Sequence, residues 1–125
     1  MNLLLDTHLW VWALTDDPKL SALARRRIEA ADSVGFSVAS LWELAIKQRL
    51  GKFKIDLALL RETSTRAGII ELPILGDAVL DTLTLPMLHK DQFDRLLIAQ
   101  AKALDADFLT SDKTLRAYGH PVGIV

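Results

Sequence analysis

The sequence predicts an α/β fold with a mainly parallel central sheet of about five strands and helices on both faces of the sheet. Short runs of Leu, Val, Ile and Phe alternate along the chain with longer segments whose apolar residues recur at helical spacing. The short runs are continuously apolar, which is typical of strands buried on both faces. Glycine or proline closes several of the helical segments.

The first half of the chain predicts strands and helices in alternation. The run NLLLD at residues 2–6 predicts a buried strand that ends in an acid. Residues 9–14, LWVWAL, are apolar almost all round, so a helix there must be covered on more than one side. Residues 18–32 carry apolar side chains on one helical face, SVGFS at 33–37 predicts a second strand, and residues 38–52 predict a helix stopped by a glycine.

The second half of the chain continues the alternation. Helices are predicted at 56–68, 76–86 and 89–101, of which the first ends at a glycine and the second at a proline. Strands are predicted at 69–74, 106–112 and 120–125, and the second of these again ends in an acid. Strands joined by helices in this way form a parallel sheet, because each helix returns the chain to the same end of the sheet.

Length and composition limit the class of protein. The chain has 125 residues, which suits one domain over residues 1–125, and 50% of them are hydrophobic, which excludes a disordered chain. Cysteine is absent, so no disulfide and no Cys-ligated metal is predicted. No apolar run approaches the ~20 residues of a membrane span, and the first residues lack the pattern of a signal peptide, so a cytoplasmic protein is expected. With a formal net charge of −1, nucleic acid would have to be attracted by a local basic patch or by bound cations.

Two aspartates follow predicted strands and point to a site at one edge of the sheet. Asp6 ends the first strand and Asp112 ends the fourth. Parallel sheets bind ligands outside the carboxyl ends of their strands, at the point where the strand order reverses. Either residue is equally suited to cap a helix, but two carboxylates at neighbouring strand ends repel each other unless a positive group lies between them.

Two further acids lie on predicted helices. Asp94 lies three and four residues before a leucine and an isoleucine, so it faces the same way as the buried stripe of its helix. Glu43 shares a face with apolar residues of its own helix. Each acid also has a structural alternative. Glu43 can pair with Lys47 one turn later, and Asp94 can be a first-turn acid that Arg95 neutralises.

The residue types of these four acids predict a divalent cation. Carboxylate oxygens without cysteine favour Mg²⁺ or Mn²⁺ over zinc. Magnesium keeps several waters and bridges to phosphate groups. A pair of such ions can activate a water molecule and stabilise the leaving oxygen of an in-line displacement.

Four segments resemble PIN-domain nucleases, specifically the VapC-like toxins of bacterial toxin–antitoxin pairs. They follow the family's order and are LLLDTHLWVWAL, SVASLWELAIKQRLGK, HKDQFDRLLIAQA and FLTSDKTLRAYG. The resemblance implies a parallel α/β domain whose acidic pocket binds divalent metal and cleaves RNA. It also implies a homodimer and a cognate antitoxin, which binds along a hydrophobic groove near the acids. Part of the helix at 9–14 is expected to meet one of these partners, unless its tryptophans are core residues.

The resemblance also assigns the family's acids and one pocket hydroxyl, which fall on Asp6, Glu43, Asp94, Asp112 and Thr110. It places the first three acids around one ion and Asp112 nearer a second position, with the number of ions left open. Gln92 stands where this subgroup has proline. The change lies in the first helical turn, where it reduces the rigidity of the helix start and removes no acid.

Basic and imidazole side chains close to the acids are candidates for RNA contacts. Lys47, Arg49 and Lys52 cluster after the helical glutamate, and they either contact RNA or form an ordinary solvated helix end. His8 and His89 lie close to the acids in the sequence. Each of them either contacts the RNA, orients a carboxylate, or has a capping or packing role.

The predicted function is that of a metal-dependent endoribonuclease, the toxin of a toxin–antitoxin pair. The alternative is a non-catalytic PIN-fold module that binds RNA or protein. A receiver-like phosphoacceptor domain is disfavoured, because DTH and ELP stand where that fold would carry adjacent acids and a further aspartate.

Overall fold

The computed structural model describes residues 2–125 and contains a five-stranded sheet in which all neighbouring strands are parallel. The strands are β1 (Asn2–Leu5), β2 (Ser33–Ser37), β3 (Ile70–Leu72), β4 (Asp107–Thr110) and β5 (Val122–Ile124). They lie in the order β3-β2-β1-β4-β5, so the direction in which strands are added reverses between β1 and β4. The predicted parallel α/β fold is confirmed, and the ends of β1 and β4 mark the position at which such sheets bind ligands.

Six α-helices lie within residues 2–125: α1 (Thr7–Thr15), α2 (Ala22–Ala30), α3 (Val38–Arg49), α4 (Leu57–Arg66), α5 (Gly76–Asp81) and α6 (Gln92–Ala103). A 3₁₀ helix, Lys113–Tyr118, follows β4 and was not predicted from the sequence. No helix in the described part of the chain combines the length and the apolarity needed to cross a membrane.

Helix α5 ends earlier than the predicted range 76–86. The hydroxyls of Thr82 and Thr84 donate to the carbonyls of Val79 and Asp81, at 2.6 and 3.0 Å. The backbone N–H groups of the same two threonines bond the same two carbonyls, three residues back. Threonine hydroxyls that bond nearby carbonyls compete with regular helix, so the chain continues in tight turns up to the proline.

The core consists of two apolar clusters, and alternate residues of β1 belong to different clusters. Leu3 and Leu5 pack in one cluster with buried residues of α1, α2 and α4. Leu4 packs in the other, with α6 and Phe108 of β4. A strand covered on both faces must be apolar at every position, which explains the uninterrupted leucines of NLLLD. Burial of each leucine stabilises the fold by about 1.5–3 kcal/mol.

Helix α1 is covered largely from within the chain. Trp10 is fully buried, stacks on Phe36 with ring centroids 4.1 Å apart, and donates Nε1–H to Ser64 Oγ at 2.9 Å. Trp12 is half-buried and packs against the same cluster. Trp10 is therefore a core residue, which is the alternative that the sequence left open.

Exposed large apolar side chains concentrate in two other places. The group on α3 and its C-terminal end consists of Val38, Trp42, Ile46 and Leu50. The group on α5 and its flanking residues consists of Leu75, Val79, Leu80, Leu83, Met87 and Leu88. Trp42 is 61% exposed and meets the Phe93 ring edge-on, with centroids 5.3 Å apart. Together with Gln92 and Leu96 these rings line a shallow apolar groove, called the Trp42 groove below.

The sequence left open that Arg95 neutralises Asp94, but in the structure Arg95 has other partners. Its guanidinium is buried and donates to the carbonyls of Thr82 and Pro86, both at 2.8 Å, with further bonds to Leu85 O and Tyr118 Oη. A buried guanidinium with several acceptors fixes the backbone that supplies them. Arg95 therefore holds in place the loop that enters α6.

Candidate functional site

A cleft of about 650 Å³ lies at the carboxyl ends of β1 and β4. All four predicted acids line it, together with three of the five predicted contact residues, His8, Lys47 and His89. Arg49 and Lys52 are exposed at the end of α3 and are not among the residues that line the cleft. The structure thus brings together most of the predicted site residues from separate segments of the chain.

Asp6 lies at the bottom of the cleft and is 6% exposed. One carboxylate oxygen accepts the backbone N–H of Thr7 and the other accepts the hydroxyl of Thr110, both at 2.7 Å. Asp6 caps α1 and also lines the cleft, so the two locations that the sequence allowed for this side chain are compatible. Burial raises the pKa of Asp6 above its usual value, while the Thr110 hydrogen bond and nearby His8 act in the opposite direction.

Glu43 reaches the cleft from α3 and has a partner for each oxygen. Thr7 Oγ1 donates to Oε1 at 2.8 Å, and Lys47 Nζ donates to Oε2 at 3.1 Å. Thr7 has a single hydroxyl proton, so Ser40 must be the donor in the 2.8 Å contact between the Ser40 and Thr7 hydroxyls. The glutamate is therefore held by a chain of two buried hydroxyls as well as by the predicted ion pair with Lys47.

Asp94 is on the first turn of α6, and its side chain is 16% exposed. His89 Nε2 lies 2.9 Å from Asp94 Oδ2. Burial, followed by repulsion from the Asp6 carboxylate, raises the pKa of Asp94 to about 7. The hydrogen bond from His89 opposes that rise and does not cancel it.

Asp112 lies at the start of the 3₁₀ helix, at the rim of the cleft. Its Oδ1 accepts the backbone N–H and the hydroxyl of Thr114, at 3.0 and 2.6 Å, and these bonds lower the pKa of Asp112. Its own N–H donates to Thr110 Oγ1 at 3.0 Å. The Thr110 hydroxyl thereby joins Asp112 to Asp6, which is a structural basis for its predicted place in the pocket.

The cleft combines the donor types and the charge that a divalent cation requires. His89, Asp94 and Asp112 each offer one ligand atom, and these three atoms lie within 4.8 Å of one another. Burial, and after it repulsion from neighbouring carboxylates, raises the pKa of both Asp6 and Asp94. Carboxylate oxygens with one imidazole fit Mn²⁺ or Mg²⁺, and a bound cation would relieve this repulsion.

Sequence reasoning missed Thr7 and Ser40, both of which are buried against the acids. Two local signals were present. Thr7 follows Asp6 directly, and Ser40 precedes Glu43 by three residues, which places both on one side of α3. Neither signal reveals that the two hydroxyls meet, because they lie 33 residues apart in the sequence.

Comparison with known proteins agrees with this fold. Ribonuclease VapC22 of Mycobacterium tuberculosis (strain ATCC 25618 / H37Rv) is 28% identical over 122 residues, which cover 96% of this chain and 94% of that protein. VapBC2 from Rickettsia felis, solved with a promoter DNA fragment, matches with a TM-score of 0.71 at 14% identity, over 100% of this chain and 98% of that one. VapBC-1 from nontypeable Haemophilus influenzae gives a TM-score of 0.68 at 18% identity, over 100% and 97% of the two chains.

The family assignment comes from a match that spans most of the chain. The PIN domain family model matches residues 3–121. That range includes β2, β3, β4, all of β1 except its first residue, and all four acids of the cleft, and it ends one residue before β5. The chain belongs to the PIN domain family.

Proposed function

We propose that the chain is a metal-dependent endoribonuclease, the toxin of a toxin–antitoxin pair, which acts on RNA in the cytoplasm. The observation that carries the proposal is the convergence of Asp6, Glu43, Asp94 and Asp112 on one cleft. The 28% identity to a ribonuclease over nearly the whole of both chains supports it. An acidic cleft repels RNA, so a bound cation is needed before a phosphodiester can enter.

The four acids would hold one or two Mg²⁺ or Mn²⁺ ions. Such ions, when bound, activate water and stabilise the oxygen that leaves phosphorus. The chain's part is to orient the ligands: Thr7 and Thr110 fix Asp6, and Thr7 also fixes Glu43. Lys47, at the side of the cleft, is placed to contact a phosphate once a cation takes over its partner Glu43.

The reaction is a hydrolysis at phosphorus. The water oxygen forms a bond to phosphorus and gives up a proton, while the bond from phosphorus to the 3′ oxygen breaks. That oxygen takes up a proton as it leaves, so the proton count is unchanged. The products are a 5′-phosphate and a 3′-hydroxyl. The 2′-hydroxyl of the RNA takes no part, so no 2′,3′-cyclic phosphate forms.

The test uses the purified protein and a single-stranded RNA labelled at either end. With Mg²⁺ or Mn²⁺ we expect internal cleavage that leaves 5′-phosphate and 3′-hydroxyl ends, and no cleavage in EDTA. Ends that carry 2′,3′-cyclic phosphate would contradict the mechanism. RNA that binds without being cut by the metal-loaded protein would instead support the non-catalytic binding module.

We propose that the antitoxin covers the Trp42 groove. Trp42 is adjacent in sequence to Glu43, and Phe93 is adjacent to Asp94, so the groove borders the acidic cleft. An apolar segment seated there would block access of RNA to the acids. The exposed apolar residues around α5 then remain for a second copy of the chain in the expected homodimer.

A growth experiment tests the toxin proposal in cells. Expression of the chain alone should arrest growth, and co-expression of a small antitoxin encoded beside it should restore growth by direct binding. Sequencing of cellular RNA ends after brief expression identifies the target. Normal growth despite abundant soluble, folded protein would argue against a toxin.

A further inference from the structure

We infer that His89 is a direct ligand of the metal ion that Asp94 and Asp112 hold, and that it gives the site a preference for Mn²⁺ over Mg²⁺. The inference rests on the proposed metal-dependent function and adds a ligand that the four-acid assignment lacks. Three observations carry it: the spacing of the ligand atoms, the way the loop that bears His89 is fixed, and the chemistry of imidazole.

The spacing of the three ligand atoms suits one octahedral ion. Bonds of about 2.1 Å place adjacent ligand atoms of such an ion about 3 Å apart and opposite ones about 4.2 Å apart. His89 Nε2 and Asp94 Oδ2 are 2.9 Å apart, as adjacent ligands would be. All three atoms lie within 4.8 Å of one another, so small side-chain movements complete the geometry.

Asp112 keeps one oxygen for such an ion. Its Oδ1 is engaged by the backbone and hydroxyl of Thr114, whereas Oδ2 has no such bond and the side chain lines the cleft. His89 also lines the cleft, and its side chain is 22% exposed. Both groups are therefore accessible to an ion that enters from solvent.

The loop that carries His89 is held in place by a buried cation. Arg95 donates to the carbonyls of Thr82, Leu85 and Pro86, and the last of these is three residues before His89. Because Arg95 is also the residue after Asp94 in α6, the same helical turn fixes the loop and supplies the carboxylate. The position of His89 is thus fixed by the hydrogen bonds that Arg95 makes to its loop.

Imidazole distinguishes between the two candidate ions. Mg²⁺ prefers oxygen ligands and retains its waters, whereas Mn²⁺ and later transition metals accept an imidazole nitrogen. A site of two carboxylates and one imidazole therefore binds Mn²⁺ more tightly, relative to Mg²⁺, than an all-oxygen site does.

The test measures metal binding directly, with Mn²⁺ and Mg²⁺ as the probes. Mn²⁺ affinity is measured by electron paramagnetic resonance of the free ion, and Mg²⁺ affinity by competition. Pulsed measurements on the bound Mn²⁺ detect a ¹⁴N nucleus in direct coordination. The variants are His89→Ala and His8→Ala. The matched control is His120→Ala, whose imidazole is 78% exposed and lies outside the cleft.

Wild type, His8→Ala and His120→Ala should all show the ¹⁴N coupling, and His89→Ala should lack it. His89→Ala should weaken Mn²⁺ binding by about tenfold or more, while Mg²⁺ binding changes by less than about threefold. Wild-type protein that binds Mn²⁺ and cleaves RNA without a ¹⁴N coupling would overturn the inference alone. Equal loss of both ions in His89→Ala would also overturn it, since His89 would then only position Asp94. Failure of the wild type to bind either ion would overturn the proposed function as well.

Discussion

The Thr7 hydroxyl donates a 2.8 Å hydrogen bond to Glu43 Oε1, across 36 residues of sequence. The backbone N–H of the same threonine donates to Asp6 Oδ1 at 2.7 Å. One buried residue thus sets the relative positions of two acids that come from different segments of the chain. Ser40, also buried, completes the chain of hydroxyls behind it.

Replacement of Thr7 should therefore impair the site while the cleft keeps its shape. Thr7→Val removes the hydroxyl at nearly constant volume and leaves Glu43 without one partner. We expect Mn²⁺ affinity and kcat/KM for RNA to fall by about ten- to a hundredfold, the usual effect of losing a group that orients a metal ligand. Thr7→Ser keeps the hydroxyl and should recover most of both values. If Thr7→Val and wild type bind Mn²⁺ and cleave RNA equally well, the hydroxyl does not position Glu43.

Removal of the Asp6 charge should abolish cleavage without unfolding the protein. In Asp6→Asn the amide oxygen can still accept from Thr7, so the cap of α1 persists. Loss of a metal ligand costs several kcal/mol of transition-state stabilisation, so the rate should fall by about 10³-fold or more. Circular dichroism and a thermal melt verify the fold. Asp77→Asn, an exposed first-turn acid of α5, is the matched control and should cleave at the wild-type rate. Persistent cleavage by folded Asp6→Asn would remove Asp6 from the mechanism.

The raised pKa of Asp94 predicts a pH dependence of apo stability. Its ordinary value is 3.8, and burial together with Asp6 raises the pKa to about 7 in the fold. An acid whose folded pKa is raised costs stability wherever it is ionised. The metal-free wild type should therefore gain stability as pH falls from 8 through 7 towards 4. Asp94→Asn should lack this gain and should be more stable than wild type at pH 8 by about 1–2 kcal/mol.

Metal should reverse this comparison. An ion at a hundred times its Kd adds about 2.7 kcal/mol to a protein that binds it, and Asp94→Asn should gain much less than that. Urea unfolding of both proteins between pH 5 and 8, with EDTA and with millimolar Mn²⁺, measures the two effects. If Asp94→Asn loses several kcal/mol in EDTA and keeps the full metal shift, Asp94 has a structural role only.

Two tryptophans should respond in opposite ways to replacement by alanine. Trp10 is fully buried against Phe36, so Trp10→Ala should destabilise the fold by about 3–5 kcal/mol. Trp42 is 61% exposed, so Trp42→Ala should change stability by less than about 0.5 kcal/mol. We expect Trp42→Ala to weaken antitoxin binding by about 2 kcal/mol or more, as hot-spot aromatics do. Calorimetry with the cognate antitoxin checks this, and unchanged affinity would exclude the Trp42 groove as its site.

The sequence by itself determined the strands and most of the helices, because their signals are local. A run such as NLLLD identifies a strand covered on both faces, and helical spacing turns Asp94 towards the buried side of α6. The same alternation of elements predicted the parallel sheet and, with it, the edge at which Asp6 and Asp112 emerge. Where local signals compete, as at the threonines after α5, the predicted boundary was wrong.

Only the tertiary structure decided which of these residues touch. Arg95 could have paired with Asp94, yet it binds the carbonyls of the preceding loop. The Asp94 carboxylate is hydrogen-bonded to His89 instead. Much of the exposed apolar surface lies on α3 and around α5, whereas Trp10 is covered by β2 and α4. Periodicity fixes the face on which a residue lies, but contact also depends on the distance between elements. That distance is set by packing between segments tens of residues apart, which no local pattern in the sequence records.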